Sequence, residues 1–140
     1  MRAGVSTASL FERQNNEEAL SLLNGLGIGV AEVFFTSFSE YGREFGELAA
    51  KGKGGLCVHS MHVLNTQFEP QLFASHPRVR ADAFGWLEKA LAGGRALGTA
   101  FYTFHGTARI KRAARSGERD DLTALGKNLR LISEFCAVRG

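Results

Sequence analysis

The chain has 140 residues, of which 44% are hydrophobic and 22% charged. That length and content describe one domain, residues 1–140, with one core, and they exclude two ordinary domains and a mostly disordered chain. The net charge is small, +3 from 17 basic and 14 acidic side chains, and excludes a strongly basic nucleic-acid binder as the default. No apolar run approaches the ~20 residues of a membrane helix. The N-terminal MRAGVSTASLFERQNNEE turns polar too early for a secretory signal peptide, so the expected location is the cytoplasm.

In chain order, residues 3–10 (AGVSTASL) read as a short first strand. Asn15 or Asn16 can cap a first helix, with Glu17 and Glu18 in its first turn and Ala19, Leu20, Leu22, Leu23 and Leu26 as its apolar stripe. Gly27 ends that helix. Ile28–Phe38 is a continuous apolar run with one acid, the signature of a strand covered on both faces. A helix carrying Tyr41, Phe45 and Leu48 runs into the glycine-rich KGKGG. LCVHSMHVL is a third buried strand with two histidines, and a longer segment, NTQFEPQLFASHPRVR, is either a lid or a surface loop. A helix is expected from about Pro77 to Leu97, with Gly98 closing it, then a strand over 99–106. The last helix is expected from Asp120 or Asp121 to Val138. The order βαβαβαβα implies a parallel sheet with right-handed crossovers.

The first strand is followed by SLFERQNN, which has neither the dinucleotide nor the P-loop glycine pattern. Gly25, Gly27 and Gly29 stand at the wrong end of the second strand to cradle phosphate. Cys57 and Cys136 form no CxxC pair and lie in apolar contexts, so buried reduced thiols are expected. Much of the basic excess lies between Arg109 and Arg119, as a solvated loop or a phosphate-binding cluster. It lacks the interleaved aromatics that would stack on single-stranded bases.

In parallel α/β proteins ligands bind at the C-terminal ends of the strands. There the sequence places Ser6, Thr7 and Ser9, then Glu32 followed by Thr36, Ser37, Ser39 and Glu40, then His59, Ser60 and His62, then His105. Strand-end histidines read either as metal ligands and acid–base groups or as hydrogen-bonded structural residues. Glu32, flanked by Ala31, Val33, Phe34 and Phe35, must find a partner or be protonated. Alternation puts it on one strand face with Phe34 and Thr36.

GVSTASL, LGIGVAEVFFTSFSE, VHSMH with FEPQLF, and LGTAFYTFHG, in that order and spacing, resemble the sugar phosphate isomerase/epimerase family. Its fold is the xylose isomerase-like TIM barrel, shared with endonuclease IV-type enzymes. The resemblance implies an α/β fold of parallel TIM-barrel type and a divalent metal, Mn²⁺, Mg²⁺, Co²⁺ or Zn²⁺. It also implies metal-assisted proton transfer on a sugar or sugar phosphate. By the same resemblance His59 and His105 match histidines that bind zinc in the endonuclease branch and line the sugar site in the isomerase branch, so they are expected to bind metal or substrate. Glu32 matches a recurring acid of strand two, expected as a catalytic residue that orients a hydroxyl. His62, Thr7 and Thr36 are expected as substrate contacts from their places at the strand ends, not from the resemblance, since family members vary at the position of His62. A full barrel takes roughly 250 residues. Four βα units are a half barrel, so a homodimer, or a chain supplying strands five to eight with the family's main metal ligands, is expected. Two other classes stay open: a metal-dependent phosphodiesterase of the endonuclease IV type, and a non-catalytic sugar-binding or assembly module.

Overall fold

The structure, a computed structural model, describes residues 3–64, 67–106 and 118–139. The elements are β1 (Val5–Ser6), α1 (Asn16–Gly25), β2 (Val30–Phe35), α2 (Arg43–Gly52), β3 (Cys57–Val63), α3 (Pro77–Leu97), β4 (Phe101–Tyr102) and α4 (Glu118–Ala137). Short 3₁₀ turns cover Thr7–Leu10, Phe38–Glu40 and Glu69–Phe73. The four strands form one parallel sheet in the order β1-β2-β3-β4. The expected α/β order is therefore present, with shorter strands than the apolar runs suggested.

The shortening has local causes. At the end of β1 the Ser6 side chain accepts from the Ala8 backbone at 3.3 Å, and the Ser9 hydroxyl donates to the Ser6 carbonyl at 2.8 Å. These bonds turn the chain where a ladder would have continued it. Asn15 is the N-cap of α1, and its backbone N–H donates to the Glu18 carboxylate at 3.0 Å. At the other end Gly27 adopts φ +73°, and Ile28 N–H reaches back to the Leu23 carbonyl at 3.1 Å. A left-handed residue is what this helix stop requires, and glycine takes it without steric cost.

The chain forms two compact units. One runs through Leu64 and includes Lys89–Thr103; the other is Asn65–Glu88 with the chain from Phe104. The first unit holds the whole sheet. Ala31, Val33 and Phe35 of β2 and Val58, Met61 and Val63 of β3 are buried on one sheet face. Phe35 packs edge-on against Phe45 of α2 at 5.6 Å between ring centres. The opposite face carries Val30, Glu32, Phe34, Ser60 and His62, all only partly buried. In the second unit Phe68, Leu72, Ala83, Leu87 and Ile132 are buried, and Phe84 meets Phe135 at 4.8 Å between ring centres.

α2 approaches the C-terminal part of α3 closely enough that only glycines fit. A Cβ on Gly46 would overlap the Gly93 carbonyl oxygen and stand 2.7 Å from the Ala96 Cβ. Gly46→Ala is therefore expected to destabilise the fold by about 1–3 kcal/mol, through a forced backbone shift. Urea unfolding checks this, and an unchanged midpoint would show that the two helices separate freely.

The thiol expectation needs correction at Cys57, which is exposed. It is the first residue of β3, opposite Val30. Cys136 is half-buried, and burial raises its pKa.

Candidate functional site

The partly open face of the sheet is organised around Glu32. A register irregularity follows Ala31: Ala31 pairs with Val58, but Glu32 pairs with Ser60. One extra residue, His59, is accommodated in β3 at that point. Beyond it the alternation changes parity, so Ser60 and His62 share Glu32's face while Met61 and Val63 are buried.

The Glu32 carboxylate is consequently surrounded by donors. Ser60 Oγ donates to Oε2 at 3.0 Å and Thr103 Oγ1 donates to the same oxygen at 3.3 Å. His62 Nδ1 lies 3.0 Å from Oε1. Side-chain exposure is 27% for Glu32 and 14% for His62, so the pair is sheltered yet reachable from solvent. The Phe34 ring tilts over the His62 imidazole at 4.5 Å, and Phe11 meets Phe34 edge-on at 5.6 Å. Burial opposes ionisation of Glu32. Hydrogen bonding from Ser60, the adjacent His62, and hydrogen bonds from Ser6 and Thr103 outweigh it and hold the carboxyl below its ordinary value.

That direction gives a pH prediction. The folded pKa lies below the unfolded one, so the stability Glu32 contributes is fully present above the ordinary carboxylate range. It is lost as pH falls through the lower folded value. Glu32→Gln is expected to flatten this part of the acid dependence, measured as urea midpoints from about pH 6 down to about pH 3. Parallel profiles for the two proteins would refute the assignment.

Thr7 and Thr36 are brought together by a second, buried network at the C-terminal ends of β1 and β2. Thr7 Oγ1 donates to Asn16 Oδ1 at 2.6 Å and accepts from Phe34 N–H at 2.9 Å. Asn16 Nδ2 donates to the Phe34 carbonyl at 2.7 Å and to Glu40 Oε1 at 3.0 Å. Glu40 Oε2 accepts from the Thr36 backbone N–H, from Thr36 Oγ1 at 3.0 Å and from Ser37 N–H at 3.2 Å. A cavity of about 240 Å³ opens beside this network, lined by Thr7, Glu12, Arg13, Phe34, Thr36 and Glu40 among others. The residue types alone did not join Asn16 to Glu40. Asn16 was legible only as a helix cap, and Glu40 as a polar residue at the end of strand two with no partner assigned.

His59 and His105 stand elsewhere. His59 is exposed in the first half of β3, its ring 4.9 Å from that of Phe101. In the second unit, His105 faces Glu69, which is fully buried in its 3₁₀ turn; Oε2 accepts the His105 backbone N–H at 3.2 Å and lies 3.2 Å from Nδ1. Among the described residues no group of three or more His, Cys, Asp or Glu side chains is placed to hold a metal ion. The described residues therefore do not make a metal centre. The basic stretch from Arg109 begins outside the described residues, and the phosphate reading built on it lies there too. Among the described residues no helix is long and apolar enough to cross a membrane.

No protein-family model matches the sequence, and no curated protein matches it. A solved structure does: D-psicose 3-epimerase, determined in the presence of D-fructose, superimposes with a TM-score of 0.71 at 16% identity. The match takes in 100% of this chain and 50% of that one. The fold is half of a TIM barrel. The expected xylose isomerase-like barrel is supported at the level of fold. The chain spans half the length of the epimerase it matches. In such a barrel the sheet face bearing Glu32, Ser60 and His62 corresponds to the interior, since the other face lies under helices.

Proposed function

We propose that this half barrel belongs to a sugar isomerase or epimerase of the sugar phosphate isomerase/epimerase kind, and that Glu32 and His62 bind the sugar. The observation that carries the reading is the Glu32 carboxylate on the interior face, held by Ser60 and Thr103 with His62 against it. An ionised carboxylate beside an imidazole, under the apolar ring of Phe34, suits a polyhydroxylated ring or chain: hydroxyls donate to the carboxylate while C–H surface lies on the aromatic.

The direction of the Glu32 shift also divides the labour. A carboxylate held below its ordinary value is a weak base. Glu32 is therefore suited to accept a sugar hydroxyl and to fix the orientation of His62, and less suited to remove a proton from carbon. His62, beside the carboxylate at 3.0 Å, is in this reading the proton carrier of the pair. In this reading Thr7 and Thr36 shape the mouth, through the Asn16–Glu40 network, where the substrate enters.

The expected divalent metal (Mn²⁺, Mg²⁺, Co²⁺ or Zn²⁺) belongs to the same proposal, with the family's main ligands on strands five to eight. No proton-transfer step above is routed through a metal. The partners are a small sugar or sugar phosphate and a second half barrel, from another copy or another chain. Isothermal calorimetry with D-fructose and other ketohexoses tests the reading. Binding to the wild type, weakened at least ~10-fold in Glu32→Gln, supports it. Equal binding to both proteins, or none to a well-folded wild type, overturns it.

A further inference from the structure

The cavity at the ends of β1 and β2 has a volume of about 240 Å³. A cavity of ~150 Å³ already takes up a benzene ring, so this one admits a six-membered sugar ring. Its floor and its rim differ. On the floor Thr7, Asn16 and Glu40 are buried and bonded to one another, which fixes their positions. On the rim Glu12, Arg13 and Gln14 are exposed. Their side chains form no hydrogen bond or ion pair with another described residue, so their polar atoms are available to hydroxyls.

Two further observations single out this rim. Phe11 lines the same cavity and leaves 43% of its surface exposed. An exposed aromatic ring flanked by polar groups is a platform for the C–H face of a sugar. Glu12 has φ +67°, and among the described residues no other non-glycine residue has a positive φ. Glycine takes that conformation without strain, so the Glu12 side chain is kept at the cavity against a backbone cost.

One ring joins the cavity to the interior pair. Phe34 lines the cavity, and its ring lies 4.5 Å from the His62 imidazole, with Phe11 edge-on to it at 5.6 Å. A sugar held at Glu32 and His62 lies against Phe34, and a substituent carried past that ring enters the cavity. Charge limits what the substituent is. The lining has the carboxylates of Glu12, Glu18 and Glu40 against one guanidinium, that of Arg13. A phosphate is repelled there and an uncharged ring is not.

We propose that the cavity is a second sugar subsite, and that the ligand of this face is a ketose carrying a further, uncharged sugar ring. The first ring meets Glu32 and His62. The second lies on Phe11, with its hydroxyls on Glu12, Arg13 and Gln14. The inference rests on the sugar reading of Glu32 and His62 and adds a substrate class to it: a disaccharide, in preference to a free or phosphorylated monosaccharide.

Isothermal calorimetry on the full chain decides it. The ligands are D-fructose, D-fructose 6-phosphate, and turanose, maltulose and isomaltulose, which carry a glucose at three different positions of the ketose. At least one disaccharide is expected to bind at least ~10-fold tighter than D-fructose, and the phosphate no tighter than D-fructose. The ratio of disaccharide to D-fructose affinity is expected to fall towards one in Phe11→Ala and in Glu12→Gly. The second variant relieves the backbone strain and so stays folded. Disaccharides that bind no tighter than D-fructose, a phosphate that binds tighter than every disaccharide, or a ratio unchanged in either variant would each overturn the proposal. D-fructose bound through Glu32 with no gain from a second ring sinks this inference and leaves the sugar reading standing. No sugar bound to the folded wild type sinks both.

Discussion

Glu40→Ala is expected to lower the stability of the fold by about 2–4 kcal/mol, among the larger effects of any single side-chain truncation here. The carboxylate is buried, and both of its oxygens are used. Its removal leaves the Thr36 and Ser37 backbone N–H groups and one Asn16 amide hydrogen without their acceptor. Those groups sit where the chain leaves β2 and turns into its 3₁₀ segment, so they cannot all reach bulk water without opening that turn. Each orphaned buried donor costs about 1–3 kcal/mol, partly relieved by water entering from the adjoining cavity. Glu40→Gln keeps one acceptor oxygen but turns an NH₂ toward a donor, so an intermediate loss is expected. Guanidinium unfolding of the two variants measures the difference. A Glu40→Ala protein as stable as wild type would show that the network is not holding the rim.

The second large effect concerns the interior pair. Glu32→Ala and His62→Ala are each expected to weaken sugar binding by about 10–100-fold, the loss of one charge-assisted hydrogen bond. The double variant is expected to lose much less than the product of the two. Glu32 acts on the sugar partly by fixing the ring of His62, and without His62 part of its contribution has already gone. A calorimetric double-mutant cycle reads the coupling. Strictly multiplicative losses would mean that the two side chains touch the ligand independently, or touch it not at all.

Much of the fold was legible because hydrophobic period and helix stops agree over most of the chain. The stripe Ala19, Leu20 and Leu23 is buried, and Gly27 stops α1 at positive φ. The apolar run around Val33 and Phe35 is a strand, but it is buried on one face and only partly buried on the other, where coverage on both faces was expected. Strand ends were overextended where serine side chains bond the backbone, as at Ser6 and Ser9, since hydroxyl-to-backbone competition leaves no mark in hydropathy. The site was legible in part. Glu32 stood out as an acid in an apolar run, and the structure gives it partners on its own face. The arrangement of the histidines was not legible. Strict alternation puts Ser60 and His62 on one face and His59 on the other, but does not say which of them faces Glu32. The irregularity opposite Ala31 and Glu32 changes the parity of β3 and gives Glu32 both Ser60 and His62. A one-residue irregularity of this kind depends on the neighbouring strand, and no pattern within VHSMH announces it. The buried Glu69–His105 pair likewise joins residues 36 apart and follows from no local spacing.

The half-barrel match and the Glu32–His62 pair lead to one account: a polyhydroxylated ligand bound on the interior face of the sheet, against an ionised carboxylate and the imidazole it orients. The most direct measurement is a ¹⁵N NMR titration of histidine-labelled protein with D-fructose and its ketohexose epimers. The account predicts that the His62 ring resonances shift saturably with sugar and that the shift is abolished in Glu32→Gln. The His76 resonances, in the second unit, are expected to stay in place. His62 unmoved while the sugar binds elsewhere, or shifts that survive the loss of the Glu32 carboxylate, would contradict it.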